Sequence, residues 1–142
     1  NFFSIYEINK ILIKNKTKNK KINIIMIGSI AAFENKASIG YSAAKSVLLN
    51  YNKTLAVNFF SQKVISKLLI PGSFISTKGS MSRLKKINKK VFSKLENLMP
   101  NNKMQNSKDI IKFTEFLLKK DSDLMNGSYI SLSNLESKSI FL

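Results

Sequence analysis

Apolar positions along this chain alternate between helical spacing and short unbroken runs. Phe2, Ile5, Tyr6, Ile8, Leu12 and Ile13 recur near a 3.6-residue period, which predicts a helix over 2–14. The Lys-rich stretch through Lys21 reads as a helix end and a surface turn, with cations at the negative helix terminus. Ile22–Ile27 is a continuous Ile-rich run, as expected of a buried parallel strand. Gly28 and Ser29 stop it, and 31–38 reads as a loop with Ser38 as the cap of the next helix. Ala44, Val47, Leu48, Tyr51, Leu55 and Phe59 then return to helical spacing, predicting a helix over 41–60. Val64–Ile70 reads as a second strand, closed by Pro71-Gly72, and 73–80 as a hydroxyl-rich loop. A single basic amphipathic helix is predicted over 81–98, ended by Pro100-Asn101-Asn102. Ser107 caps a further helix to about Lys119, Asn126-Gly127 is a turn, and 129–132 is a last strand before a polar tail.

Strands that alternate with helices imply a parallel sheet. The fold class is therefore α/β, with a parallel sheet and right-handed crossovers. Ligands of such sheets sit beyond the carboxyl ends of the strands. Ser29 follows one strand end and Pro71-Gly72 follows another, so the two candidate regions converge on one edge.

The 142 residues suit a single domain, and Asn1 stands directly before a helical pattern, so an amino-terminal truncation is expected. The chain has no histidine and no cysteine. Disulfides, Cys/His zinc sites and Cys- or His-based nucleophiles are excluded within these residues, and no metal site is expected. Absence of Cys fits a reducing, cytoplasmic compartment. The apolar runs Ile24–Ile27 and Leu68–Ile70 fall far short of the roughly 20 residues of a membrane span, so no membrane partner is expected. The formal charge of +16 rests on 24 basic residues, of which only Arg83 is Arg. A nucleic-acid surface usually recruits Arg for bidentate contacts. Abundant Lys, Asn and Ile together point instead to A/T-rich coding, and no nucleic-acid partner is expected.

Tyr41 and Lys45 stand four apart, on one face of the predicted helix. A phenol with a pKa near 10 is a poor proton carrier at neutrality, and an adjacent ammonium lowers that value. Such a tyrosine can exchange a proton with a carbonyl oxygen, and a strand-end serine can hydrogen-bond the same oxygen. The spacing alone carries little information, because Tyr6 and Lys10 repeat it; Tyr6 reads as core.

In the order I-I-M-I-G-S, Y-S-A-A-K, L-L-I-P-G and S-F-I-S-T, followed by M-N-G-S-Y-I-S-L, the chain resembles the short-chain dehydrogenase/reductase family, in its single-domain branch. The resemblance spans essentially all residues. It implies that 1–142 is the carboxy-terminal half of one NAD(P)-binding, Rossmann-like doubly wound domain, with about three strands and the Gly-rich half absent. It implies Tyr41 as catalytic acid/base, Lys45 as the group that lowers its pKa and holds the nicotinamide ribose, and Ser29 as the residue positioning the substrate oxygen. Asn1 stands 28 residues ahead of Ser29, at the spacing of the family's proton-relay Asn. Pro71, Gly72 and Phe74 would lie along the nicotinamide of NAD or NADP, with Ser76 or Thr77 bonding its amide or phosphate.

The implied function is interconversion of a small-molecule carbonyl and a secondary alcohol by a homodimer or homotetramer, the truncated chain alone being inactive. Rival readings are a non-catalytic relative that only binds or oligomerises, a sugar-nucleotide epimerase or dehydratase, and a basic nucleic-acid-binding module. Two departures stand out. Lys67 replaces an Asn common four residues before the proline, and Ser133-Asn134-Leu135 replaces a frequent Asp-Gly-Gly.

Overall fold

The computed structural model describes residues 2–35 and 37–141. Helix α1 spans Phe2–Lys14, strand β1 Ile22–Ile27, helix α2 Ile39–Asn58 and strand β2 Val64–Pro71. Short strands β3 (Phe74–Ile75) and β4 (Gln105–Asn106) flank helices α3 (Ser80–Ile87) and α4 (Lys89–Glu96). Helix α5 (Ser107–Leu118) and strand β5 (Tyr129–Leu132) complete the order.

The sheet is parallel in the order β1-β2-β5. Ile22 pairs with Val64 and Ile27 with Leu69, while Leu68 pairs with Tyr129 and Pro71 with Leu132. Every residue of central β2 is buried, which is why its sequence runs apolar rather than alternating. Successive β2 side chains serve opposite layers. Val64, Leu68 and Ile70 join Ile24, Met26, Leu48 and Leu55, with α1 contributing Phe2, Ile5 and Ile13. Leu69 faces the other way, with Ile110 and Leu117 of α5. The result is a Rossmann-like parallel sheet with helices on both faces. A polar cluster is embedded beside β2: Ser66 Oγ donates to Asn52 Oδ1 (2.8 Å), Asn52 Nδ2 to the Ser128 carbonyl (3.0 Å), and Ser66 N–H to Asn126 Oδ1 (2.8 Å). Gly127 N–H returns a bond to the Ser66 carbonyl at 2.7 Å.

Several details differ from the sequence-based expectation. The helix predicted over 81–98 is two helices. The chain breaks at Asn88, whose side chain accepts from Val91 N–H and caps α4, and this leaves Ile87 exposed rather than on a shared apolar face. Asn106, not Ser107, caps α5. Its side chain accepts from the backbone within the first turn while Asp109 accepts from Asn106 N–H, a reciprocal capping box. Tyr6 is exposed rather than core, with its ring against Phe2 and Tyr51. The parallel β3–β4 pair, Phe74 against Gln105 and Ile75 against Asn106, is too short to have left a periodic signal.

The two departures from the family pattern have local explanations. Asn134 and Leu135 both take positive φ, 51° and 57°. The backbone is thus left-handed at the two positions where the resembled pattern has Gly, at about 1–2 kcal/mol for a residue such as Leu135. Lys67 is fully buried, and its Nζ donates to the Leu117 carbonyl and to Ser122 Oγ, both at 2.6 Å. The ammonium therefore sits on the negative end of α5. Burial pushes the Lys67 pKa down, nearby Asp123 pulls it up, and Lys21 pushes it down. Between that lowered native value and the unfolded value of 10.5, the unfolded chain binds more protons, so stability rises with pH across that window. Melting temperature measured against pH in alkaline buffers should climb more steeply for the wild type than for Lys67→Met. Relief of overall charge repulsion is common to both proteins, so identical slopes would remove this account.

Candidate active site

The site is assembled where β1 and β2 end. Gly28 N–H donates to the Leu69 carbonyl at 2.7 Å, which ties the end of β1 to β2. Ser29 comes next in an extended conformation and caps a single 3-10 turn, Ile30–Ala32, its Oγ accepting from Ala31 N–H at 3.2 Å. Ser46 Oγ of α2 donates within reach of the Ala32 carbonyl (3.0 Å) and the Ser42 carbonyl (2.9 Å), fastening α2 to that turn. Helix α2 starts at Ile39, with Ser38 at the cap position but making no side-chain cap bond, so Tyr41 falls in the first turn.

Lys45 lies one turn further along. Its Nζ donates to the Ile27 carbonyl at 2.7 Å and stands 5.7 Å from the Tyr41 ring centroid. Burial lowers the Lys45 pKa. The pair at Tyr6 and Lys10 has nearly the same internal geometry, 5.8 Å from Nζ to ring centroid. What separates the two pairs is their surroundings: Lys45 is anchored to a strand end, and Tyr41 opens onto a cavity.

That cavity has a volume of about 350 Å³, and its lining includes Ser29 and Tyr41, the loop residues Gly72, Ser73, Phe74 and Ser76, and Glu136. The structure therefore brings together Ser29, Tyr41, Gly72, Phe74 and Ser76 from the sequence-based set. Lys45 stands behind Tyr41 rather than in the wall, and Pro71 is buried as the last residue of β2. Thr77 is exposed and does not line the cavity, so of the two hydroxyls left open only Ser76 reaches it. Asn1 lies outside the described residues.

Sequence reasoning missed Ser73 and Glu136. The Glu136 carboxylate accepts from Ser73 N–H and from Ser73 Oγ, the latter at 2.8 Å. Gly72 is forced by the same neighbours, since a Cβ there would stand 2.6 Å from Glu136 Oε2 and 2.8 Å from the Ser133 carbonyl oxygen. Among the described residues, no group of His, Cys, Asp and Glu could hold a metal ion, and no helix is long and apolar enough to cross a membrane.

No protein-family model matches the chain. It is 33% identical over 134 residues to a 3-oxoacyl-[acyl-carrier-protein] reductase of Buchnera aphidicola subsp. Baizongia pistaciae, covering 94% of this chain and 53% of that protein. It is 27% identical to a 7alpha-hydroxysteroid dehydrogenase of Paraclostridium sordellii, covering 94% and 49%. Among solved structures, a Serratia marcescens short-chain dehydrogenase/reductase superposes with a TM-score of 0.79 at 17% identity, over 95% of this chain and 53% of that one. A 4-hydroxyisoleucine dehydrogenase complexed with NADH gives 0.76 at 20% identity, over 97% and 55%. The chain spans about half the length of the curated relatives it matches. In sequence it is similar to these curated enzymes over about half their length, and in fold it is similar to solved short-chain dehydrogenase/reductases.

Proposed function

We propose that this chain forms the substrate-side half of an NAD- or NADP-dependent oxidoreductase that interconverts a carbonyl and a secondary alcohol. The observation that carries this reading is the convergence of Ser29 and Tyr41 on one cavity, with Lys45 anchored behind Tyr41 by the Ile27 carbonyl. In the direction of reduction, the Tyr41 hydroxyl gives its proton to the substrate oxygen. In the direction of oxidation it takes that proton back. Ser29 Oγ already accepts from Ala31 N–H, so its own hydrogen is free to donate to the same oxygen. Lys45 spends one N–H on Ile27 and keeps others for a ribose hydroxyl.

The donor set fits a nicotinamide cofactor: an ammonium beside the phenol, a wall formed by Gly72 and Phe74, and the Ser76 hydroxyl, all beyond parallel strand ends. When bound, the nicotinamide supplies or accepts the hydride. Asn1 completes the proposed proton relay. The reductase relatives favour a 3-oxoacyl thioester as the first substrate to try. Exposed Phe3, Ile8 and Ile11 on α1 and Val47 on α2 support assembly as a homodimer or homotetramer. Incubating the full-length polypeptide with NADH or NADPH and a 3-oxoacyl thioester should oxidise the cofactor. A protein that oxidises neither cofactor with this substrate, nor with a panel of simple ketones, would not be the enzyme proposed.

A further inference from the structure

The segment after β5 reaches back to the candidate site, where Glu136 lines the cavity. Ser133, Glu136 and Ser137 are buried, and their backbone is held in place: Glu136 N–H donates to the Ser133 carbonyl at 3.0 Å, and Ser139 N–H donates to Ser137 Oγ at 3.1 Å. From this fixed segment, adjacent side chains bond to the loop that contributes Ser73 to the cavity lining and to the loop that leads into Tyr41. Glu136 accepts from both donors of Ser73, immediately after Pro71-Gly72. Ser137 Oγ donates to Glu34, in the loop that carries the chain from Ser29 to Tyr41. Glu34 N–H in turn closes on the Ile30 carbonyl at 3.2 Å, beside Ser29.

We propose that Glu136 and Ser137 form a brace that sets the spacing between the Ser29–Tyr41 and the Gly72–Phe74 segments of the cavity lining, with Glu136 as the positioning residue. Among the described residues Glu136 makes no ion pair, in a chain of net charge +16. Its carboxylate is committed to two neutral donors on one loop. A carboxylate suits this task because it only accepts, and its two oxygens can take the amide and the hydroxyl together. Hydrogen bonds to a charged group are also the stronger kind. The loop it holds is the one proposed to lie along the nicotinamide, so the brace acts on cofactor placement rather than on proton transfer. Its effect on turnover rests on the oxidoreductase reading; its effect on the loop does not.

The test is made on the full-length polypeptide with Glu136→Ala, Glu136→Gln and Ser73→Ala. Amide exchange resolved at residue 73 should speed up about tenfold or more in Glu136→Ala, as a lost charge-assisted bond implies. It should stay near wild type in Ser73→Ala, which keeps the amide bond. In the same Glu136→Ala protein, KM for the dinucleotide should rise about tenfold while kcat falls less than about threefold, the pattern of lost binding common to ground and transition states. Glu136→Gln, which keeps an acceptor for the amide, should recover most of the KM. Equal protection of residue 73 in wild type and Glu136→Ala overturns the brace, whatever the turnover. Faster exchange with an unchanged KM overturns the positioning role. A wild type without turnover on any carbonyl would sink the oxidoreductase reading and leave the exchange measurement to decide the brace.

Discussion

Tyr41→Phe should lower kcat by about 10²- to 10⁴-fold, the usual contribution of a positioned proton donor, while leaving dinucleotide affinity within about twofold. The substitution removes one hydroxyl and keeps the ring. The ring's relation to Lys45, 5.7 Å from Nζ to centroid, does not depend on that hydroxyl, and neither does the bond from Lys45 to Ile27. The cavity wall therefore survives while its proton source is lost. Tyr6→Phe supplies the control, because that residue has a lysine four positions on at almost the same distance but packs against Phe2 and Tyr51, away from the cavity. Single-turnover rates with each variant, together with dinucleotide titration, make the comparison. Normal turnover by Tyr41→Phe, or an equal loss in Tyr6→Phe, would end the assignment of Tyr41 as the proton carrier.

Gly72→Ala should be nearly as damaging, through packing instead of chemistry. The added methyl would meet Glu136 Oε2 at 2.6 Å, and that carboxylate could swing aside. It would also meet the Ser133 carbonyl oxygen at 2.8 Å and Ser133 Cα at 3.1 Å, and those are backbone atoms. Their segment is held to β2 by the pairing of Pro71 with Leu132 and by Gly72 N–H on the Leu132 carbonyl at 3.2 Å. Relief requires shifting one strand end against its neighbour, at about 1–3 kcal/mol for overpacking of this kind. A lower melting temperature and a fall in kcat/KM should appear together, since Gly72 lies in the cavity wall. Adding Glu136→Ala should restore only part of the stability, because the Ser133 backbone remains. Complete recovery in the double variant would show that the side-chain contact alone was responsible.

Much of the fold was legible because it rests on runs of apolar residues. Buried β2 reads as V-I-S-K-L-L-I, and the strand occupies those residues and continues through Pro71. Strand β5 coincides with the sequence reading at both ends. What escaped depends on polar side chains whose partners are set locally or by the fold. Asn88 divides a helical pattern by capping the second piece, a role that apolar spacing does not register. Asn106 and Asp109 form a capping pair that was present in the sequence, but the adjacent Ser107 drew the cap by its hydroxyl. Leu135 contradicts local preference outright, since a branched residue avoids left-handed backbone and nothing nearby in sequence signals otherwise. Ser29, Tyr41 and Lys45 were legible as a candidate site because strand ends and helix starts converge by topology. Glu136 was not, because its importance lies in a contact 63 positions away in the chain.

The polar cluster around Ser66 bears on how β5 finds its place. Faces of a strand repeat every second residue, so a slide of β5 by two positions along β2 would still put apolar side chains inward and polar ones outward. Hydrophobic burial therefore discriminates poorly between the native alignment and its nearest competitor. Asn52, Ser66, Asn126 and Gly127 discriminate well, because a slide would separate the donors from the acceptors that now satisfy them inside the protein. Each group left unpaired would cost about 1–3 kcal/mol. In this domain, apolar atoms supply the cohesion of the sheet, and a few amides and one hydroxyl reject the misaligned alternative.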